Sequence, residues 1–217
     1  MSATWPGFRS VVMLVAAAAL AAGIPGRLRA SSGALDEQAA GVQRLFEAGS
    51  YDAAVQAVAA DRQRGVDAPD ATFLATQALL RLEQTERAAA EFGRLQSSGQ
   101  PGWKLIGDSG AALLAGNLAG AVDAARRATD AAGTLSWAHY QLGLAASRQS
   151  DYATAARALG RAIELKPDFA YSHYYAALAE QRQRQLSKSA EHFEAFLRLA
   201  PEAPERTAVL AIMRTLK

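Results

Sequence analysis

Gly107-Asp108-Ser109-Gly110 sets a serine between glycines, the local arrangement that would expose a nucleophilic hydroxyl to a carbonyl. Such a serine needs a histidine base and an aspartate to orient it, and in the serine-protease order that matches this string both precede the serine. All three histidines, His139, His173 and His192, follow Ser109, and the many strand signals of a double β-barrel are missing. The residues therefore predict a glycine-weakened helix here, not an acyl-transfer site. A metal would require the histidines to converge within about 2 Å of one ion. His139 and His173 instead recur at equivalent places in neighbouring segments, which predicts packing residues. No Walker-type loop, GxGxxG or HExxH is present, so no catalytic residue, cofactor, metal or small-molecule substrate is expected.

The elements that would position any site follow from composition. Half of the 217 residues are apolar and only 7% are aromatic. Alanine is frequent throughout and is the best helix former, so the chain is expected to be all-α with a sizeable core. Although the sequence pI is near 9.0, the basic excess lies at the amino end in Arg9, Arg27 and Arg29. Residues 31–217 carry twenty basic against twenty-one acidic side chains, which gives no general attraction for phosphate backbones, so no nucleic-acid partner is expected. With no cysteine, disulfides, CxxC sites and lipid-modified cysteines are excluded.

Val11 to Ile24 is an uninterrupted apolar run after Arg9, and Ala19-Leu20-Ala21 within it offers an A-x-A cleavage signal. Fourteen helical residues span about 21 Å, short of a hydrocarbon core of about 30 Å. Residues 1–30 are thus expected to be a signal peptide with a short linker. An uncleaved membrane anchor is the alternative, and it is the only basis for a membrane contact. The expected location is exported, periplasmic or secreted, or else anchored to the membrane by this segment.

Residues 31–217 read as a repeat array. Pro167 and Pro201 close two segments of one register, and the same ruler places unit starts near Leu35, Pro69, Gly102, Ser136 and Ala170, separated by 34, 33, 34 and 34 residues. A constant period of this size marks a helical solenoid. Small residues recur at Ala54, Ala88, Ala121, Ala155 and Ser189. Four positions later stand Val58, Phe92, Ala125, Leu159 and Phe193, an alternation that lets two helices approach and then fills the groove between them. Gly49 and Gly116 mark turns between helices. In the third unit Gly107, Asp108 and Gly110 predict a loosened first helix, with Asp108 where an apolar residue belongs.

The segment from Trp137 to Pro167 resembles a tetratricopeptide repeat (TPR), matching the family at Leu142, Gly143, Tyr152, Ala155, Ala162 and Pro167. The resemblance extends over about residues 35–203. It implies a right-handed superhelical solenoid of antiparallel helix pairs, with residues 204–217 as a capping helix whose Glu205, Arg206 and Arg214 lie on a solvated face. It departs from the family where His139 and His173 replace the usual tryptophan, and where the first three units lack the closing proline.

The same resemblance implies that the second, fifth, ninth and thirteenth residues of each first helix line a concave groove. In units four and five these are Trp137, Tyr140, Leu144 and Arg148, then Tyr171, Tyr174, Leu178 and Arg182, with Trp103, Ile106 and Leu114 added by unit three and Gln43, Phe46, Phe73, Gln77 and Arg81 by units one and two. Read as a site, this is an aromatic trough edged by arginines, suited to a protein or peptide segment with apolar anchors. Read as packing, the same tyrosines stack on neighbouring repeats. Tyr140, Leu144, Tyr174 and Leu178 replace the lysine and asparagine with which some members grip acidic chaperone tails, so that partner class is not expected. The resulting expectation is a non-enzymatic protein–protein interaction module. The alternative is a self-associating scaffold in a membrane-associated assembly.

Overall fold

The computed structural model describes residues 32–216; the signal-or-anchor expectation for residues 1–30 lies outside the described residues. Eleven α-helices follow one another: α1 Ser32–Glu47, α2 Tyr51–Gln63, α3 Pro69–Arg81, α4 Thr85–Gln96, α5 Pro101–Leu114, α6 Leu118–Ala131, α7 Ser136–Arg148, α8 Tyr152–Leu165, α9 Ala170–Arg182, α10 Leu186–Leu199 and α11 Arg206–Thr215. No strand occurs among the described residues. Each odd-numbered helix up to α9 pairs with the one after it, and from α3 onward it also packs on the helix before it. This gives the expected solenoid of five antiparallel pairs, closed by α11.

The period is written in the helix ends. The residues that follow the first helix of each pair, Ala48, Leu82, Ala115, Gln149 and Gln183, reproduce the spacing of the sequence ruler, the third unit included. One position further on, each chain enters the left-handed region: Gly49 at φ 74°, Glu83 at 59°, Gly116 at 74°, Ser150 at 64° and Arg184 at 60°. The next amide then donates back five residues, as Ser50 N does to Leu45 O (2.9 Å) and Gln185 N to Glu180 O (2.9 Å). This satisfies a carbonyl that the helix end would orphan. Glycine takes the conformation freely at two of the five turns. Glu83, Ser150 and Arg184 hold it against a side-chain clash.

The third unit is firmer than its glycines suggest. α5 is one unbroken helix, and Gly107 and Gly110 are where α4 presses against it: a Cβ on Gly107 would stand 2.7 Å from Phe92 O, and one on Gly110 would overlap the Phe92 ring. Asp108 is tolerated at its apolar register because Gln96 Nε2 (2.9 Å) and Lys104 Nζ (2.8 Å) donate to its carboxylate. The small positions Ala54, Ala88, Ala121, Ala155 and Ser189 are fully buried. Ser189 Oγ returns its proton to Ala177 O (2.9 Å).

Two outcomes follow for stability, read by urea unfolding with circular dichroism. Gly110→Ala should cost about 1–3 kcal/mol, because Phe92 has to move out of its packed rotamer. Arg184→Gly should add about 0.5–1 kcal/mol by relieving the left-handed turn.

Candidate functional site: the concave face

The first-helix residues that face the superhelix axis meet one another across it. Phe46 of α1 stacks on Tyr171 of α9 (ring centroids 4.9 Å apart) and on Phe169 (6.3 Å). Phe73 of α3 contacts Trp137 (5.3 Å), Tyr140 (6.0 Å) and Trp103 (6.2 Å). Phe169, the residue before α9, wedges between Trp137 (4.8 Å) and Tyr140 (5.3 Å). One aromatic cluster thereby joins the first two repeats to the last three.

Polar groups trapped by this contact are paired across the same seam. Glu47 at the end of α1 accepts from Ala170 N at the start of α9 (2.8 Å), and Gln43 Nε2 donates to Asp168 O (3.2 Å). Trp137 Nε1 donates to Asp70 Oδ2 (2.6 Å). Arg81 forms an ion pair with Glu205 and donates to Tyr175 Oη (3.0 Å), its guanidinium 5.0 Å from the Tyr171 ring centre. Tyr171 Oη donates to Glu205 Oε2 (2.7 Å). Burial raises the Asp70 carboxyl above its ordinary range, despite the Trp137 hydrogen bond. Burial pushes the Tyr140 and Tyr171 hydroxyls upward as well. Burial alone would loosen the Arg81 proton, but Tyr175 and Glu205 outweigh it and the guanidinium stays charged.

The predicted trough residues therefore divide into three groups. Trp103, Trp137, Tyr140 and Tyr171 are brought together but sealed, none more than 4% exposed. Leu144, Tyr174 and Leu178 are half-buried, while Arg148 and Arg182 are exposed, Arg182 lying 5.9 Å from the Tyr152 ring centre. The physical reason is the contact itself: the aromatic residues of units four and five are the surface on which Phe46 and Phe73 are buried. Glu205, expected on a solvated face, is likewise drawn inward, its side chain 13% exposed. Phe169, Tyr175, Leu113, Gln141 and Glu47 were not singled out by the repeat register. Phe169 falls in the connecting loop, where that register assigns no groove contact.

An open part of the concave face remains between α3, α5, α7 and α9, a groove of about 290 Å3 lined by Gln77, Leu113, Leu114, Leu144, Arg148 and Tyr175 and bordered by Arg81. Gln141 also lines it. Its amide donates to Ser109 Oγ (3.0 Å), and its buried Oε1 accepts from no group among the described residues. Ser109, the serine of the glycine-flanked string, is thus fully buried and engaged by an amide rather than a histidine base.

The histidines are placed as packing groups, with one difference from expectation. His139 Nε2 donates to Gly133 O (2.9 Å) and His173 Nε2 to Pro167 O (3.2 Å), the same tie in both units. His192, although on α10, comes to His173, Nδ1 to Nδ1 at 3.2 Å, and its Nε2 lies 3.6 Å from Glu180 Oε1. With His173 Nε2 donating, His173 Nδ1 accepts and His192 Nδ1 donates. Burial lowers both imidazoles, and it raises Glu180 to about 7. These side chains contact one another in a row, and among the described residues no group of three or more His, Cys, Asp or Glu is placed to hold a metal ion.

The fold that this geometry defines is the tetratricopeptide-repeat solenoid, and solved structures agree. A thermophilic TPR protein of Thermus thermophilus superposes with a TM-score of 0.59 at 16% identity, covering 84% of this chain and 98% of its own. The TPR domain of Arabidopsis OM64 gives 0.51 at 14% identity, over 53% of this chain and 95% of that domain. Sequence comparison matches no family model and no curated protein.

Glu47 supplies a pH test of the seam. Burial raises its carboxyl from 4.5 to about 7, partly offset by the hydrogen bonds from Ala170 N and Gln43. The folded chain then holds a proton that the unfolded chain releases, so this contribution is complete below about pH 4.5 and is lost as pH rises to about 7. The difference between the stability curves of the wild type and Glu47→Gln should fall by about 3 kcal/mol over that window and stay flat above it. Equal slopes in both proteins would show that Glu47 is not buried at the seam.

Proposed function

We propose that the chain is a non-enzymatic, exported protein-interaction module that holds a segment of a partner protein in the open groove between α3, α5, α7 and α9. The observation that carries this reading is the groove's composition. Leu113, Leu114 and Leu144 offer an aliphatic floor, Gln141 Oε1 is a buried acceptor with no partner among the described residues, and Arg148 stands exposed on the rim. About 290 Å3 suits one or two aliphatic side chains. A carboxylate beside such an anchor would meet Arg148. Of the predicted contacts, Leu144, Arg148, Tyr174, Leu178 and Arg182 remain accessible to a partner. Trp103, Trp137, Tyr140 and Tyr171 belong to the sealed cluster, from which Tyr140 and Tyr171 touch Tyr175 of the groove. Export rests on the apolar run at residues 11–24, and amino-terminal sequencing of protein purified from its host tests it.

Peptides selected on the purified protein from a random display library provide the binding test. Leu144→Glu should weaken the selected peptides at least tenfold with helical content unchanged, whereas Leu186→Glu, on an exposed site remote from the groove, should leave them unaffected. Unchanged affinity in a folded Leu144→Glu protein would remove the groove as the working surface.

A further inference from the structure

The segment that closes the concave face is seated like a ligand in a receptor. Six residues, Ala200 to Glu205, connect α10 to α11. Ala203 is buried, and the Pro204 ring lies so close over the α1–α2 turn that a Cβ on Gly49 would stand 2.5 Å from Pro204 Cγ. The Glu205 carboxylate enters between Arg81 and the Tyr171 hydroxyl. Behind it, Val209 of α11 is fully buried. The receptor belongs to the first, second and fifth repeats. Its occupant hangs from the end of the fifth by a connection whose Pro201, Glu202 and Pro204 are exposed.

We infer that this receptor also takes the same elbow from a second copy, so that two chains associate by reciprocal exchange of residues 201–216. Three features select this occupant. The elbow is the one segment whose fit is visible: an alanine small enough to bury, a proline that requires glycine opposite it, and a carboxylate matched to a half-buried guanidinium. Exchange replaces each of these contacts by its identical counterpart from the partner, so no interaction is lost and the opposing term is the entropy of association. The connection that must open is short and carries two prolines, which restrict how it turns back on its own chain. A short, stiff hinge beside a self-complementary terminal element is the usual setting for exchange between protomers.

Charge reversal separates exchange from closure within one chain. In Arg81→Glu, two carboxylates face each other; in Glu205→Arg, two guanidinium groups do. Neither full-length variant can satisfy its own receptor, but a mixture can satisfy both receptors across two chains, Glu205 of one meeting Arg81 of the other and the introduced pair meeting in the reverse sense. Light scattering should show each variant alone at the monomer mass and the equimolar mixture at twice that mass. The chain carrying both changes restores the opposite-charge pair internally and should recover part of the melting temperature that either single change loses. A mixture that stays at the monomer mass while the doubly changed chain recovers overturns exchange. Should a single variant fail to fold, the two are refolded together: recovery of helical circular dichroism only in the mixture supports exchange, and no recovery alongside a folded double variant counts against it.

Discussion

Everything in the structure follows from the contact between the two ends of the concave face, Phe46 on Tyr171 and Phe73 on Trp137. In a repeat array each unit ordinarily touches only its neighbours, and stability is nearly a sum of local terms. Here fully buried aromatic residues, contributing about 1.5–3 kcal/mol each, link repeats that are far apart in the chain. The array is thereby converted from an open ribbon, free to fray from either end, into a body whose first and fifth repeats protect each other. Helix α1 thereby loses the low local stability that a chain end usually has.

A contact of this kind traps polar groups, and their pairing fixes which closure is allowed. Leaving one partner of a buried ion pair alone costs about 3–5 kcal/mol, so Arg81 tolerates burial only with Glu205 and the tyrosines in place. The Glu47 carboxyl meets the first amide of α9, where a helix leaves its amides without internal partners. Trp137 can lie against Phe169 because Asp70 takes its indole proton. Shifting α1 by one turn would orphan the Glu47 carboxyl and the Ala170 amide, and shifting α3 would part Arg81 from Glu205 and Asp70 from Trp137. Apolar stacking therefore drives the two ends together, and the hydrogen bonds select the register.

Much of this was legible in the sequence because a solenoid is local physics repeated. The period, the small-then-large alternation and the aromatic identity of Trp137, Tyr140, Tyr171 and Tyr174 each depend on residues within one unit or its neighbour. What the repeat register did not reveal was whether those side chains face solvent. That depends on how far the superhelix turns in five units, a sum of small angles that no single residue encodes. Asp108 and Gly110 misled for a related reason: in isolation they weaken a helix, whereas here Gln96 and Phe92 of the preceding unit supply the partner and the close contact that make them suitable. Glu205 read as a surface charge because its partner, Arg81, lies 124 positions away.

The closed and open parts of the concave face are not independent, because Arg81 and Tyr175 border both. Arg81 holds Glu205 on one side and edges the Leu113–Leu144 groove on the other, and Tyr175 lines that groove while bonding to the Arg81 guanidinium. A ligand that draws on Arg81 would compete with Glu205, while one that relies on Leu113, Leu114 and Leu144 alone would leave the pair intact. The two kinds of ligand would therefore act differently on the seam. The first would shift population toward an opened chain by its differential affinity for that state, and the second would not. Under the proposed groove binding, a carboxylate within reach of Arg81 would therefore favour an opened array, and a segment without one would leave the seam intact.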